Sequence, residues 1–115
     1  MTDDRPTIST HVLDTERGQP AVGVHVTLYK LADDGAMRLT QALTDSDGRV
    51  RDLLERPLAA GRYRLEFTLA GRTMPDGGGG FFDRLSVDLT IEDTSRSYHV
   101  PLLLAPYSMT TYRGS

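Results

Sequence analysis

Three histidines, His11, His25 and His99, are the side chains of this 115-residue chain best suited to moving protons near neutral pH. Their surroundings differ. His25 sits on the polar side of an alternating run over residues 22–28, beside Gly23 and Thr27, and reads as a surface strand residue that needs no chemistry to explain it. His11 lies in "STHVLD", where Ser9, Thr10 and Asp14 gather more polar groups than a plain outer strand face requires. His99 stands between Tyr98 and Val100 at the mouth of the apolar run "VPLLL", a setting that draws an imidazole partly out of water. Either His11 or His99 suits a general base or acid. Arg49 follows the turn "TDSDG", which displays its guanidinium at a fixed place. A second guanidinium, Arg113, lies in the closing "TYRGS" with Tyr112, Gly114 and Ser115. If that stretch is folded in, its phenol, guanidinium and carboxylate line one pocket.

Other chemistries find less support. There is no cysteine, so a thiolate nucleophile, a disulfide scaffold and a Cys-ligated zinc are excluded. The histidines show neither HxH nor HExxH spacing, and no metal is expected. No GxSxG marks a serine nucleophile. "DGGGG" lacks the Lys and following helix of a phosphate loop, so no nucleotide or other cofactor is expected either.

The elements that must position these residues read as strands. Residues 22–28 place Val22, Val24, Val26 and Leu28 on one face. "YRLEFTL" does the same with Tyr63, Leu65, Phe67 and Leu69, and "LSVDLTI" with Leu85, Val87, Leu89 and Ile91. Weaker candidates are "TISTHVL", "AMRLTQALT", "RVRDLL", "SYHVPLLL" and "YSMTTYR", giving about eight short strands separated by Gly-, Pro-, Asp- and Ser-rich turns. The pattern predicts an all-β fold, an antiparallel β-sandwich in two sheets. Pro101 inside an apolar run argues for an edge or an interface at that strand, and an apolar edge wants covering, which hints at an oligomer.

Length allows one domain over residues 1–115, with residues 1–6 expected to be flexible and the Gly-rich residues 71–80 expected to form a mobile surface loop. A net charge of −3 with interspersed signs gives no field that attracts nucleic acid or an anionic membrane. No apolar run reaches the length of a membrane span, and the polar opening residues do not resemble a secretory signal. A soluble, cytoplasmic protein is expected.

Three separated pieces, "STHVLDTERGQPAVGV" (9–24), "TDSDGRV" (44–50) and "YHVPLLLAPYSMTTYRGS" (98–115), together resemble the transthyretin-related 5-hydroxyisourate hydrolases. YRGS is the most specific of these signatures. The resemblance implies a transthyretin-like sandwich assembled as a homotetramer, with active sites in clefts at the dimer–dimer interface. It further implies metal-independent hydrolysis of 5-hydroxyisourate to 2-oxo-4-hydroxy-4-carboxy-5-ureidoimidazoline, on the route from urate to allantoin. Carried onto this sequence, the catalytic residues are His11, Arg49 and His99, and the substrate-binding residues are Tyr112, Arg113, Gly114 and Ser115. Which histidine is the base stays open at this point. The sequence departs from the family pattern at Asp45, where Asn is common, at Asp83 in "FFD", and in "AGRTMPDGGGG", which replaces a short helix.

A second resemblance belongs to a different class. "GQPAVGVHVTLYK", "TDSDGRV" and "AAGRYRLEF" are similar to non-catalytic prealbumin-like and carboxypeptidase-regulatory-like modules, which implies a small-ligand carrier or a structural module. The pairing of His11 with His99 and the YRGS stretch favour the enzyme.

Overall fold

Ten strands in two sheets make up the fold in this computed structural model, which describes residues 5–69 and 81–114. Residues 1–4, Ala70 with the Gly-rich residues 71–80, and Ser115 lie outside the described residues. The first sheet is built around β1 (Ile8–Asp14), with β2 (Gln19–Pro20), β5 (Arg49–Val50), β8 (Tyr98–His99), β9 (Leu102–Ala105) and β10 (Ser108–Thr111). The second has the order β4 (Gly35–Leu43), β3 (His25–Ala32), β6 (Gly61–Thr68), β7 (Arg84–Ile91). Among the described residues there is no helix.

The predicted faces pack as a sandwich core. Val26, Leu28, Tyr63, Leu65 and Phe67 from the second sheet, with Val24 just before β3, pack with Ile8, Val12, Leu102 and Leu104 from the first, all buried. Burial of these apolar side chains supplies the main drive to fold. Tyr63 is buried because its hydroxyl reaches the Ala59 carbonyl at 2.6 Å, so its polar end keeps a partner.

Pairing within the second sheet is antiparallel throughout. In the first sheet, β1 pairs antiparallel with β2 and β5 on one edge but parallel with β8 and β9 on the other. β1 is therefore the central strand, carrying a partner on each side of each half.

Three local expectations give way to physical detail. Val22 is exposed rather than in the core, because Gly23 takes φ 77° and turns the chain before the strand begins. Pro101 does not mark an edge. It occupies the break between β8 and β9, and β9 lies inside the sheet between β1 and β10. There the missing N–H costs no ladder bond, and the Pro101 carbonyl accepts the Thr111 hydroxyl at 2.8 Å. "RVRDLL" contributes only two strand residues, after which Asp52 Oδ1 accepts the backbone N–H groups of Leu54 and Glu55 and turns the chain. That turn buries Leu53 and Leu54 against the core.

Candidate active site

β1 has the alternating burial of a half-exposed strand, with Ile8, Thr10, Val12 and Asp14 inward and Ser9, His11 and Leu13 outward. Residues directly opposite one another on paired strands share a face. On one edge of β1, Ser9 is opposite His99; on the other, His11 is opposite Arg49. The register alone thus sets His99, Ser9, His11 and Arg49 side by side on the outer face of the first sheet.

Arg49 is presented by a turn that the sequence specifies closely. Asp45 Oδ1 accepts the backbone N–H groups of Asp47 (2.9 Å) and Arg49 (3.0 Å), and the Gly48 N–H bonds the Asp45 carbonyl at 2.9 Å. The Arg49 N–H holds the Asp45 carboxyl below the usual carboxylate range, with burial pushing the other way and the Asp47 N–H adding to the lowering. Gly48 has φ 76°, and a Cβ there would come 2.5 Å from the Val12 carbonyl oxygen. Only glycine fits both that conformation and that close approach.

The His99 ring is held from two sides. Its Nδ1 lies 2.9 Å from Ser9 Oγ, and its backbone carbonyl accepts the Gly114 N–H at 2.7 Å. Gly114 lies directly against the imidazole, so that a Cβ on it would come 2.8 Å from Cδ2 and 3.3 Å from Cβ and Cγ. Burial holds the His99 pKa below the ordinary histidine value, helped by the nearby Arg49 guanidinium and the His11 ring, which disfavour a second positive charge. At neutral pH the ring is a neutral base. Thr10, on the inward side, fixes the same strand junction by donating its hydroxyl to the Val100 carbonyl at 2.6 Å.

Two grooves meet at Arg49. One, of about 150 Å³, is lined by Ser9, Thr10, Arg49, Arg51 and His99; the other, of about 500 Å³, by His11, Leu13, Pro20, Asp47, Arg49 and Arg51. Arg51 and Ser9 were not singled out from the sequence. Both lie two residues from a candidate on the same strand or its continuation, and period-two alternation is the signal that points to them. Arg51 is exposed and lies 3.7 Å from the Asp47 carboxylate, an ion pair of small energetic weight. Among the described residues, no cluster of three or more His, Asp or Glu is placed to hold a metal ion.

The closing stretch divides. Gly114 packs on His99, whereas Tyr112 and Arg113 line a separate cavity of about 350 Å³ beside β7, with Asp88, Leu89, Ile91 and Tyr98. Ser115 lies outside the described residues. His25 is exposed on β3, as its alternation implies.

This division carries a prediction. Gly114→Ala leaves the sandwich folded, because the new methyl meets a side chain rather than backbone, but it pushes the His99 ring out of place. A misplacement of this kind costs about 10²-fold in turnover. Activity that falls with an unchanged thermal midpoint is the expected result, and full activity would remove Gly114 from the site.

Fold and cluster together give a two-sheet β-sandwich with two histidines and an arginine side by side on one outer face. The family model described as "HIUase/Transthyretin family" matches residues 8–114, and the chain belongs to that family. It is similar to a 5-hydroxyisourate hydrolase of Deinococcus radiodurans, 44% identical over 115 residues, covering 96% of this chain and 97% of that protein. Among solved structures it is similar to the 5-hydroxyisourate hydrolase of Klebsiella pneumoniae, at 35% identity and a TM-score of 0.82, covering 96% of this chain and 99% of the other. Transthyretin from Sparus aurata shares the fold with a TM-score of 0.85 at 27% identity, covering 96% and 97%.

Proposed function

We propose that this chain hydrolyses a cyclic acyl–nitrogen bond of 5-hydroxyisourate on the face formed by His99, Ser9, His11 and Arg49. The observation that carries the reading is the register of β1, which places two imidazoles and a guanidinium on one face. The hydrolases to which the chain is similar support the choice of substrate.

In this reading His99, neutral at working pH, takes a proton from water at Nε2 while the water oxygen attacks the ring carbonyl carbon. Arg49 stabilises the oxygen that gains negative charge. As the tetrahedral species collapses the C–N bond breaks, the carbonyl carbon becomes a carboxyl group, and the leaving nitrogen takes a proton. His11, opposite Arg49, orients the water or protonates that nitrogen. Neither a covalent intermediate nor a side-chain nucleophile is needed. Tyr112 and Arg113 belong to the substrate site only if the cavity beside β7 joins it in an assembled oligomer.

A homotetramer with its sites at the dimer–dimer interface fits the outward-facing Leu13 and Leu103, register partners on β1 and β9 that continue the site face as an apolar surface. A cytoplasmic location belongs to the same reading, supported by the bacterial enzymes to which the chain is similar.

The direct test generates 5-hydroxyisourate from urate with urate oxidase and follows its ultraviolet decay with and without the protein. Accelerated decay is expected. Decay at the spontaneous rate would favour the small-ligand carrier, the role open to a non-catalytic member of the fold.

A further inference from the structure

We infer that Ser9 is a positioning residue: its hydroxyl oxygen accepts the Nδ1–H of His99 and fixes the tautomer in which Nε2 is free to take a proton. The inference rests on reading His99 as the base. Its starting point is the 2.9 Å separation of Ser9 Oγ from His99 Nδ1.

At that distance two proton arrangements are geometrically open. Either Nδ1–H donates to Oγ and Nε2 carries the lone pair, or the hydroxyl donates to Nδ1 and Nε2 carries the proton. Only the first leaves a base at Nε2. The surroundings favour it. Nδ1 is committed to Ser9, and the Cδ2–Cγ side of the ring lies against Gly114, which leaves the Cε1–Nε2 edge for the groove. That groove also contains Arg49 and Arg51, whose side chains donate hydrogen bonds and accept none. A lone pair facing two guanidinium groups is favoured over an N–H facing them. Oγ, as acceptor, keeps its own proton for the groove or for solvent.

The backbone makes the arrangement rigid. Ser9 and His99 are directly paired in the parallel register, and the Val100 N–H bonds the Ser9 carbonyl at 2.8 Å. Flipping the imidazole to exchange its nitrogens would put Cδ2 in place of Nδ1 opposite the Ser9 hydroxyl and break the contact. The nitrogen that Ser9 engages is therefore Nδ1. Its protonation is set by the guanidinium groups facing the groove and held by Ser9 as the acceptor.

The test uses the full chain labelled with ¹⁵N-histidine, at a pH where His99 is neutral. In the wild type, the His99 nitrogen shifts should report a protonated Nδ1 and an unprotonated Nε2. Ser9→Ala should shift both nitrogens toward mixed tautomer values and lower kcat by about tenfold, the scale of one lost hydrogen bond, with KM little changed. Ser9→Thr, which keeps the hydroxyl on a residue suited to strands, should restore both readouts. A wild-type His99 protonated at Nε2 overturns the proposal, and so does a Ser9→Ala variant with unaltered shifts and kcat. If Ser9→Ala does not fold, the wild-type shifts alone still decide. His99→Ala separates the two levels of the argument: retained activity there removes the base itself, whereas its loss with an unaffected Ser9→Ala removes only the role of Ser9.

Discussion

His99→Ala lowers kcat/KM for 5-hydroxyisourate by about 10²- to 10⁴-fold, the range over which a positioned general base contributes. The expectation follows from three features of the ring. It is held at Nδ1 by Ser9, backed by Gly114, and kept neutral first by burial and then by the nearby Arg49 and His11. On the proposed mechanism the neutral form is the active one, so kcat/KM should rise with pH through a limb centred on the His99 pKa. That pKa lies below the usual histidine value of 6.5, so the limb falls on the acid side of 6.5 and activity is lost only as the pH drops through it. The variant should lose both the rate and the limb. His99→Gln serves as a control for packing, since it fills the site without offering a base near neutral pH. Ultraviolet decay measured from about pH 5 to 8, corrected for the spontaneous reaction, gives both readouts. A folded His99→Ala protein with normal rates would place the base elsewhere.

Arg49→Ala should lower kcat by about 10²- to 10³-fold, the cost of removing one donor to a developing oxyanion. It should also move the acid limb upward toward the ordinary histidine value, because one of the positive charges that depress the His99 pKa has gone. Arg49→Lys discriminates between charge and shape. It keeps the limb low but loses the planar fork, so kcat recovers only in part. If Arg49→Ala changed neither rate nor limb, the guanidinium would be a surface group displayed by its turn. The turn is expected to survive this change, since Asp45 and Gly48 bond to backbone groups and not to the arginine side chain.

The sequence made the inward faces of β6 and β7 legible because their alternation is uninterrupted over eight residues each. It made the site legible in outline. His11 and Arg49 stand out by residue type and by the turn before Arg49, and a strand containing His11 was expected. What local pattern does not carry is which strand lies beside which. The parallel pairing of β1 with β8 is what brings His99 against Ser9, and nothing in either segment alone specifies it. Val22 and Pro101 lie outside the strands their alternation suggests, because a positive-φ glycine precedes one strand and the break between β8 and β9 takes up the other. The "YRGS" residues are adjacent in the sequence but differ in their setting within one chain. A strand end that leaves the sheet sends successive residues in different directions, and here Gly114 goes to His99 while Tyr112 and Arg113 face the cavity beside β7.

The hydrogen bond between Ser9 and His99 joins residues 90 positions apart. Closing so long a loop costs entropy that nearby contacts do not have to meet, and sheets with many such pairings fold slowly. The hairpins of the second sheet can form from neighbouring segments, but the base cannot be set until the first strand of the chain has found the eighth. Catalytic competence on this reading therefore requires a long-range pairing that no local hairpin supplies. During refolding, returning turnover would report that closure, and a nascent chain still lacking β8 would be inert however much of its core had already condensed.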